Sequence, residues 1–444
     1  VQRELGPNLV ETGLTDTEAR RLGAVAAWIF GGALAAYVAT AAWLVWRTAI
    51  LRPYSDMYDW IARYYRFAAD GDLGRFLWAP HNFHHLVMTF SVLFLDIRVF
   101  GASGGLFLAT GVACWIATAA MTAVLGARAA GPGLRLIGAG GAAALALMGC
   151  DALDATADIN TTYVYALAFA VGAMVVADRE PANWIWRAVA LALAVAAGFG
   201  SAAGLAVWPA LLFAAWRRGD WRWTAAVAAG GAAAAVAYLL GEGRLPGAAS
   251  VAFDLAGVAP FVLNYLGLPW ARALPAAADW ALGGLVIAAS VAALVVACRS
   301  SGRVARTVGA LIVFSLATTV MAAVARSGVI APQMVPVRYA VFLVPLHVGL
   351  WLMALPYLRR LWAARPAPME RVAVAAAALM IVHQGVMVIY AVRTTDEIRA
   401  VVDAFHRGER TPEMLTTIYP DLAKAQALEA RMRSDRLYQR ELRP

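Results

Sequence analysis

Apolar residues run along this chain in blocks of membrane-spanning length, separated by short polar connections, from Leu22 to Ala391. Read as helices, the blocks cover 23–48, 84–126, 135–150, 161–177, 184–200, 202–216, 223–240, 277–298, 307–325, 339–357 and 372–392, or about eleven spans. The fold class predicted is all-α: a polytopic transmembrane helical bundle with outward interfacial helices and a small external C-terminal helical segment. The second block is too long for one crossing and contains GASGG at 101–105, so it reads as an angled outer helix followed by the true span. Only AGFGSAAG separates the fifth and sixth blocks, which permits a tight hairpin. Ala-rich and Gly-rich faces such as GGAAAAVA suit close helix packing, and no fixed-period repeat points to an inverted-repeat transporter.

Three regions follow. Residues 1–22 form a polar cytoplasmic segment, 23–393 the transmembrane domain with an outer loop at 51–83, and 394–444 an external helical tail broken at Gly408 and Pro420. The first apolar block is long and lacks a small-residue cleavage pattern, so it reads as a retained span.

Composition excludes a soluble enzyme: 62% of residues are hydrophobic and 15% charged, with a mean hydropathy of +0.66. The net charge of +9 could suggest nucleic acid, but its distribution argues otherwise. Arg128 and Arg135, Arg179 and Arg187, Arg217, Arg218 and Arg222, Arg299, Arg303 and Arg306, and Arg359, Arg360, Arg365 and Arg371 fall in alternate connections. By the positive-inside bias that side is cytoplasmic. The connections 51–83, 151–160, 200–204, 242–276 and 326–338, together with the tail, then face outward. Cys114, Cys150 and Cys298 are isolated, so neither a disulfide framework nor a cysteine metal site follows.

Chemistry-bearing residues gather in the outer loop. Asp56, Asp59, Arg63, Arg66 and Asp70 share one helical face, while Met57, Trp60, Ile61, Tyr64 and Ala68 share the other. This is the pattern of a helix lying in the membrane interface. Asp56, just beyond the first span, suits a base acting on a membrane-bound substrate. The plainer alternatives are an N-cap for Asp56, with Asp59 complementing the helix dipole and pairing with Arg63. His81, His84 and His85 precede an apolar helix, and Asp96, eleven residues after His85, falls on the same stripe. A carboxylate in such a run needs a partner or a wet cavity. The histidines fit hydrogen bonding, phosphate contact or an interfacial structural role; a zinc site lacks the carboxylate of an HExxH arrangement.

Asp151, Asp154 and Asp158 with Asn160 lack the Gly and terminal Glu of an EF-hand loop and read as a solvated acidic loop. Arg272, Arg326 and Arg338 lie on the outward side, against the topology bias, and suit a phosphate grip; snorkelling to lipid is the alternative. His347 and His383 fall within spans as packed, hydrogen-bonded residues.

Together these features resemble the GT-C class of polytopic membrane glycosyltransferases. LWAPHNFHHLVMTFSVLFLDIRVFG at 77–101 is similar to a segment of a mostly uncharacterised bacterial family whose pattern is LW-x-x-HNEHR, an apolar run, LLD and an FGG turn. Further similarity lies in GLAVWPALLFAAWRRGDWRW (204–223), NYLGLPWAR (264–272) and VRYAVFLVPLHVGLWL (337–352). The family's Glu and Arg in HNEHR are here Phe83 and His85, leaving His81, Asn82 and His84 in register.

The resemblance implies a polyprenyl-phosphate-linked sugar as donor and Asp56 in the position of the class's loop-one catalytic carboxylate. Arg338 with Tyr339 falls where an outward-facing Arg holds the donor phosphate. The implied reaction is inverting transfer to an acceptor hydroxyl on a glycan, lipid or protein, at the outer face of a bacterial inner membrane. Asp56 acts as base and Arg338, Arg326 or Arg272 stabilises the departing phosphate. Asp59, His81, His84, His85 and Asp96 complete the candidate binding set. A divalent metal held by Asp56 and a second Asp is admitted but not required. The competing readings are a non-enzymatic lipid or polysaccharide transporter, a membrane accessory subunit, and a polysaccharide polymerase or ligase.

Overall fold

Helices account for every named element of the structure, a computed structural model that describes residues 16–81, 84–130, 134–179, 183–240, 254–271, 276–328 and 335–437. Among the described residues no strand forms beyond two isolated bridges, Ile50 with Ala157 and His81 with His84. A chain this apolar satisfies its backbone inside helices, because lipid offers no hydrogen-bonding partners.

Among the described residues six segments are long and apolar enough to cross a membrane: Trp28–Thr48, Gly105–Ala130, Ala278–Arg299, Arg303–Arg326, Val337–Ala364 and Pro366–His406. They belong to helices α1 (Asp16–Thr48), α5 (Gly105–Ala130), α13 (Ala276–Arg299), α14 (Arg303–Arg326), α15 (Val344–Ala364) with a 3₁₀ turn before it, and α16 (Pro366–His406). Their outer faces leave large apolar side chains uncovered, among them Leu285 at 66%, Leu379 at 70% and Ile389 at 69% exposure. A water-soluble surface would not carry such a girdle. The protein is a multi-pass membrane protein.

The apolar pattern predicts about eleven crossings, and the difference lies in helix length. The block at 135–150 ends its helix, α6 (Arg135–Ala146), after 12 residues and continues as a 3₁₀ turn at Gly149–Asp151. Helices α8 (Thr161–Ala177) and α9 (Trp184–Gly198) have 17 and 15 residues, and α10 (Val207–Arg218) has 12. After α11 (Trp221–Leu240), the stretch expected as an outer connection contains α12 (Leu255–Ala271), which holds Pro260 and Pro269 in its interior. Prolines and glycines that read as loop punctuation are carried there by packing against α13.

A short turn and a close helix crossing organise the bundle. Helix α4 (Val87–Phe100) stops at Gly101, whose φ of 66° is the left-handed cap that ends a helix, and α5 starts four residues later. Helices α5 and α6 cross where a Cβ on Gly126 would run into the carbonyl of Gly138. Only glycine lets the backbones come that close.

The two ends of the bundle differ. At one, Arg303 Nε donates to Asp178 at 2.6 Å, Arg217 to the Ser300 carbonyl at 2.8 Å and Arg218 to the Ala177 carbonyl at 3.1 Å. The arginines at 179–187, 217–222 and 299–306 therefore share an end and tie its connections together. At the other end a second apolar core forms outside the spans. It joins α2 (Met57–Arg63), α3 (Leu73–Trp78) and α4 to the C-terminal α17 (Met414–Thr417) and α18 (Leu422–Ser434). Helix α16 reaches this core because its 41 residues extend about 60 Å, twice the hydrocarbon thickness. It is bound to the end of α1 by Arg47 with Asp396 at 2.6 Å and by Arg399 on the Ala49 carbonyl at 2.8 Å.

Candidate functional site

Asp56 follows a bend in which Ser55 takes a φ of 54°, unusual for a residue with a side chain. It stands at the start of α2, yet its side chain makes no capping bond to that helix. The capping alternative therefore does not describe it. Its Oδ2 lies 3.5 Å from Nε2 of His81. The bond to His81 holds the Asp56 carboxyl below its ordinary value despite burial, with the charges of His81 and Arg338 adding to the effect.

The predicted apolar face of α2 is buried, but against protein. Met57, Trp60 and Ile61 are enclosed, and the helix passes into a π-turn over Tyr64–Ala68. Trp60 stacks on Phe107 and meets Phe90 and His81 edge-on. Arg63 is not paired with Asp59. It donates to the carbonyls of Phe76 at 2.6 Å and Pro80 at 3.3 Å and lies 4.1 Å over the ring of Phe90. It thereby fixes the chain leading into the histidines.

His81 and His84 exchange backbone hydrogen bonds, each 2.8 Å, which fixes the two residues opposite each other. Asn82 and Phe83 lie outside the described residues. This pairing presents His81 to Asp56 and places His84 Nδ1 3.3 Å from the Tyr238 hydroxyl. Burial, reinforced by the charge of Arg326, pushes His84 down to about 4 and leaves its imidazole neutral. His85 plays a different part. It is fully buried, its Nδ1 donates to the Trp78 carbonyl at 2.6 Å, and its ring packs on Trp78 and Tyr238.

Arg338 and Tyr339 sit in the 3₁₀ turn Val337–Leu343 that precedes α15. The turn is pinned from two sides. Tyr265 donates to the Tyr339 carbonyl at 3.0 Å, and Ser315 donates to the Phe342 carbonyl at 2.7 Å while accepting from the Leu346 N–H at 3.1 Å. Arg338 is solvent-exposed, its guanidinium 5.9 Å from the centre of the Tyr339 ring. Among the described residues it makes no hydrogen bond or ion pair within 4 Å. Arg326 ends α14 and lines a recess of roughly 140 Å³ with His84, Tyr163, Tyr265, Tyr339 and Phe342.

Two residues of the candidate set are engaged elsewhere. Asp59 accepts from the Tyr419 hydroxyl and stands 3.3 Å from the Lys424 ammonium, both in the C-terminal segment. Asp96 is fully buried and accepts from the backbone N–H groups of Gly104 at 3.0 Å and Leu106 at 3.2 Å, closing the turn between α4 and α5. Arg272 lies outside the described residues. His347 and His383 bind α12: Trp270 donates to His347 Nε2 at 2.8 Å, and His383 Nε2 donates to the Pro269 carbonyl at 2.6 Å.

The acidic stretch at 151–160 is not a solvated loop. It folds as a 3₁₀ turn, the short helix α7 (Ala152–Thr156) and a second 3₁₀ turn, and Asp151 and Asp154 are each only 1% exposed. Both Asp154 carboxyl oxygens lack a hydrogen-bond partner among the described residues. Burial, with the charge of Asp151, raises the Asp154 carboxyl well above its ordinary value; Arg338 opposes the shift. Tyr163 and Tyr265 line the recess, and the sequence did not single them out.

The cluster is better suited to an anion than to a metal ion. Asp56 lies 3.5 Å from His81 and within electrostatic range of Arg338, and among the described residues no three His, Cys, Asp or Glu side chains converge. Compared with protein-family models, characterised proteins and solved structures, the chain matches none. Fold and composition define a multi-pass helical membrane protein, and at one end of its bundle His84 and Arg326 line an aromatic recess, with the Asp56–His81 pair and Arg338 within electrostatic range of its lining residues.

Proposed function

We propose that this protein transfers a sugar from a polyprenyl-phosphate donor to an acceptor hydroxyl, at the outer face of a bacterial inner membrane. The reading keeps about eleven membrane passages, the shorter apolar helices completing the six long ones, with the arginine-tied end cytoplasmic and the Asp56 end outward. The observation that carries it is the company of Asp56: a carboxylate kept ionised by His81, within electrostatic range of Arg338, beside a recess that Arg326 and three tyrosines line.

Each part has a role. Ionised Asp56 takes the acceptor proton as the new glycosidic bond forms, and His81 keeps the carboxylate in place. The phosphate leaves as a stable anion, so no second acid is needed. Arg338 and Arg326 stabilise the charge that develops on it. Direct displacement at the anomeric carbon inverts its configuration. The recess is small beside a typical ligand pocket of roughly 300–1,000 Å³ and suits a headgroup. Met321, which lines the recess, and Val320 and Val324 beside it on α14 are exposed on the lipid side, so a prenyl chain can stay in the membrane. Between His81 and His84 the sequence carries Asn82 and Phe83 and no acid, so the chemistry falls to Asp56.

The test is turnover in nanodiscs with a panel of polyprenyl-phosphate sugars. Wild-type protein releases polyprenyl phosphate and forms a glycoside with at least one donor, and Asp56→Asn does not. Folded wild-type protein that neither binds nor turns over any donor overturns the reading and favours a transporter or partner subunit.

A further inference from the structure

The Asp56 turn is held from the far end of the chain. The Ser55 N–H donates to the Ile418 carbonyl at 2.6 Å, and it does so from a left-handed conformation with φ of 54°. A residue with a Cβ holds that conformation only when its surroundings enforce it. One turn along α2, Asp59 accepts from the Tyr419 hydroxyl, and the Lys424 ammonium reaches both partners, 2.7 Å from the hydroxyl and 3.3 Å from the carboxylate. Between these contacts Tyr58 donates to Glu429 at 2.7 Å and packs on Tyr419 and Phe405. Arg431 covers the Tyr65 ring at 3.9 Å.

These contacts bracket Asp56. Its neighbour on one side and the residue three positions on are both fixed by residues 418–424, while its own carboxylate faces His81. Within the turn the Met57 and Tyr58 N–H groups donate to the Tyr54 and Ser55 carbonyls at 3.2 Å, but the left-handed conformation of Ser55 is unfavourable for a residue with a Cβ, and the bond to Ile418 holds it from outside α2.

We propose that Tyr419 and Lys424 are positioning residues for Asp56: the C-terminal segment is a latch on Asp59 and Ser55 that sets where the Asp56 carboxylate stands. This rests on the reading of Asp56 as the base. The latch acts through geometry, so its loss lowers the rate of the chemical step and leaves donor affinity in place.

The experiment uses the full chain in nanodiscs, comparing wild type, Tyr419→Phe, Lys424→Met, the double variant, Asp59→Asn and Asp59→Ala. Hydrogen exchange is followed on peptides covering 50–61 and on α1 and α14, with turnover of polyprenyl-phosphate sugars measured in parallel. In the double variant, exchange at Ser55–Trp60 rises about tenfold while α1 and α14 stay protected, and kcat falls at least about tenfold with KM unchanged. Asp59→Asn still accepts hydrogen bonds and retains more kcat than Asp59→Ala. Unchanged exchange at Ser55–Trp60 in the double variant overturns the latch, and so does faster exchange with unchanged kcat. If wild type turns over no donor, the function reading fails by itself, and the exchange result alone upholds or overturns the latch.

Discussion

Nε2 of His81 lies 3.5 Å from Oδ2 of Asp56, and that contact sets the acid limit of the proposed activity. A carboxyl held below its ordinary value of 3.8 is ionised at every higher pH, so the active form is lost only as pH falls through the lowered value. The acid limb of kcat/KM, which reports the free protein, should lie below 3.8. His81→Ala removes the largest cause of the shift while burial remains, so the limb moves to higher pH. A pH–rate profile of the two proteins decides it.

Arg338 offers a guanidinium with no hydrogen bond among the described residues, at the mouth of a turn pinned by Tyr265 and Ser315. A planar fork can grip a phosphate with two parallel bonds, which an ammonium cannot. Arg338→Ala is expected to weaken binding of polyprenyl phosphate by roughly 10- to 100-fold, and Arg338→Lys to recover only part of it. Binding isotherms in nanodiscs check both. Equal affinity in all three proteins removes Arg338 from the site.

Asp96 behaves differently from Asp56 although both are acids of the same region. Its carboxylate completes the turn that redirects the chain into α5, and both oxygens are used. Asp96→Ala leaves two buried N–H groups without an acceptor and should destabilise the protein by about 1–3 kcal/mol, with kcat per folded molecule unchanged. Thermal unfolding in detergent, with turnover normalised to folded protein, separates the two effects.

Much of this was legible in the sequence, for physical reasons that can be named. Apolar blocks gave α8 its boundaries, because an apolar run between polar ends leaves a helix little freedom in lipid. GASGG marked the break before α5, since φ near +60° at Gly101 is a glycine conformation. Asp56 stood out by its place just beyond the first span, and Arg338 by lying on the side that the positive-inside bias disfavours. Local pattern could not reveal contacts made across the chain. Asp59 looked like a partner for Arg63 four residues away, yet its partners are Tyr419 and Lys424. Asp151 and Asp154 looked solvated because nothing local shows that α7 is buried. Two acids three residues apart between strongly apolar blocks were the available signal.

The account turns on Asp56 acting as a base in a site that holds a lipid phosphate. The most direct measurement pairs donor binding with single-turnover transfer, for wild type and Asp56→Asn in the same nanodiscs. The account predicts that Asp56→Asn binds the polyprenyl-phosphate sugar at least as tightly as wild type, having lost a negative charge beside the phosphate, while transfer falls by a factor of about 100 or more. Transfer by Asp56→Asn at the wild-type rate would contradict it.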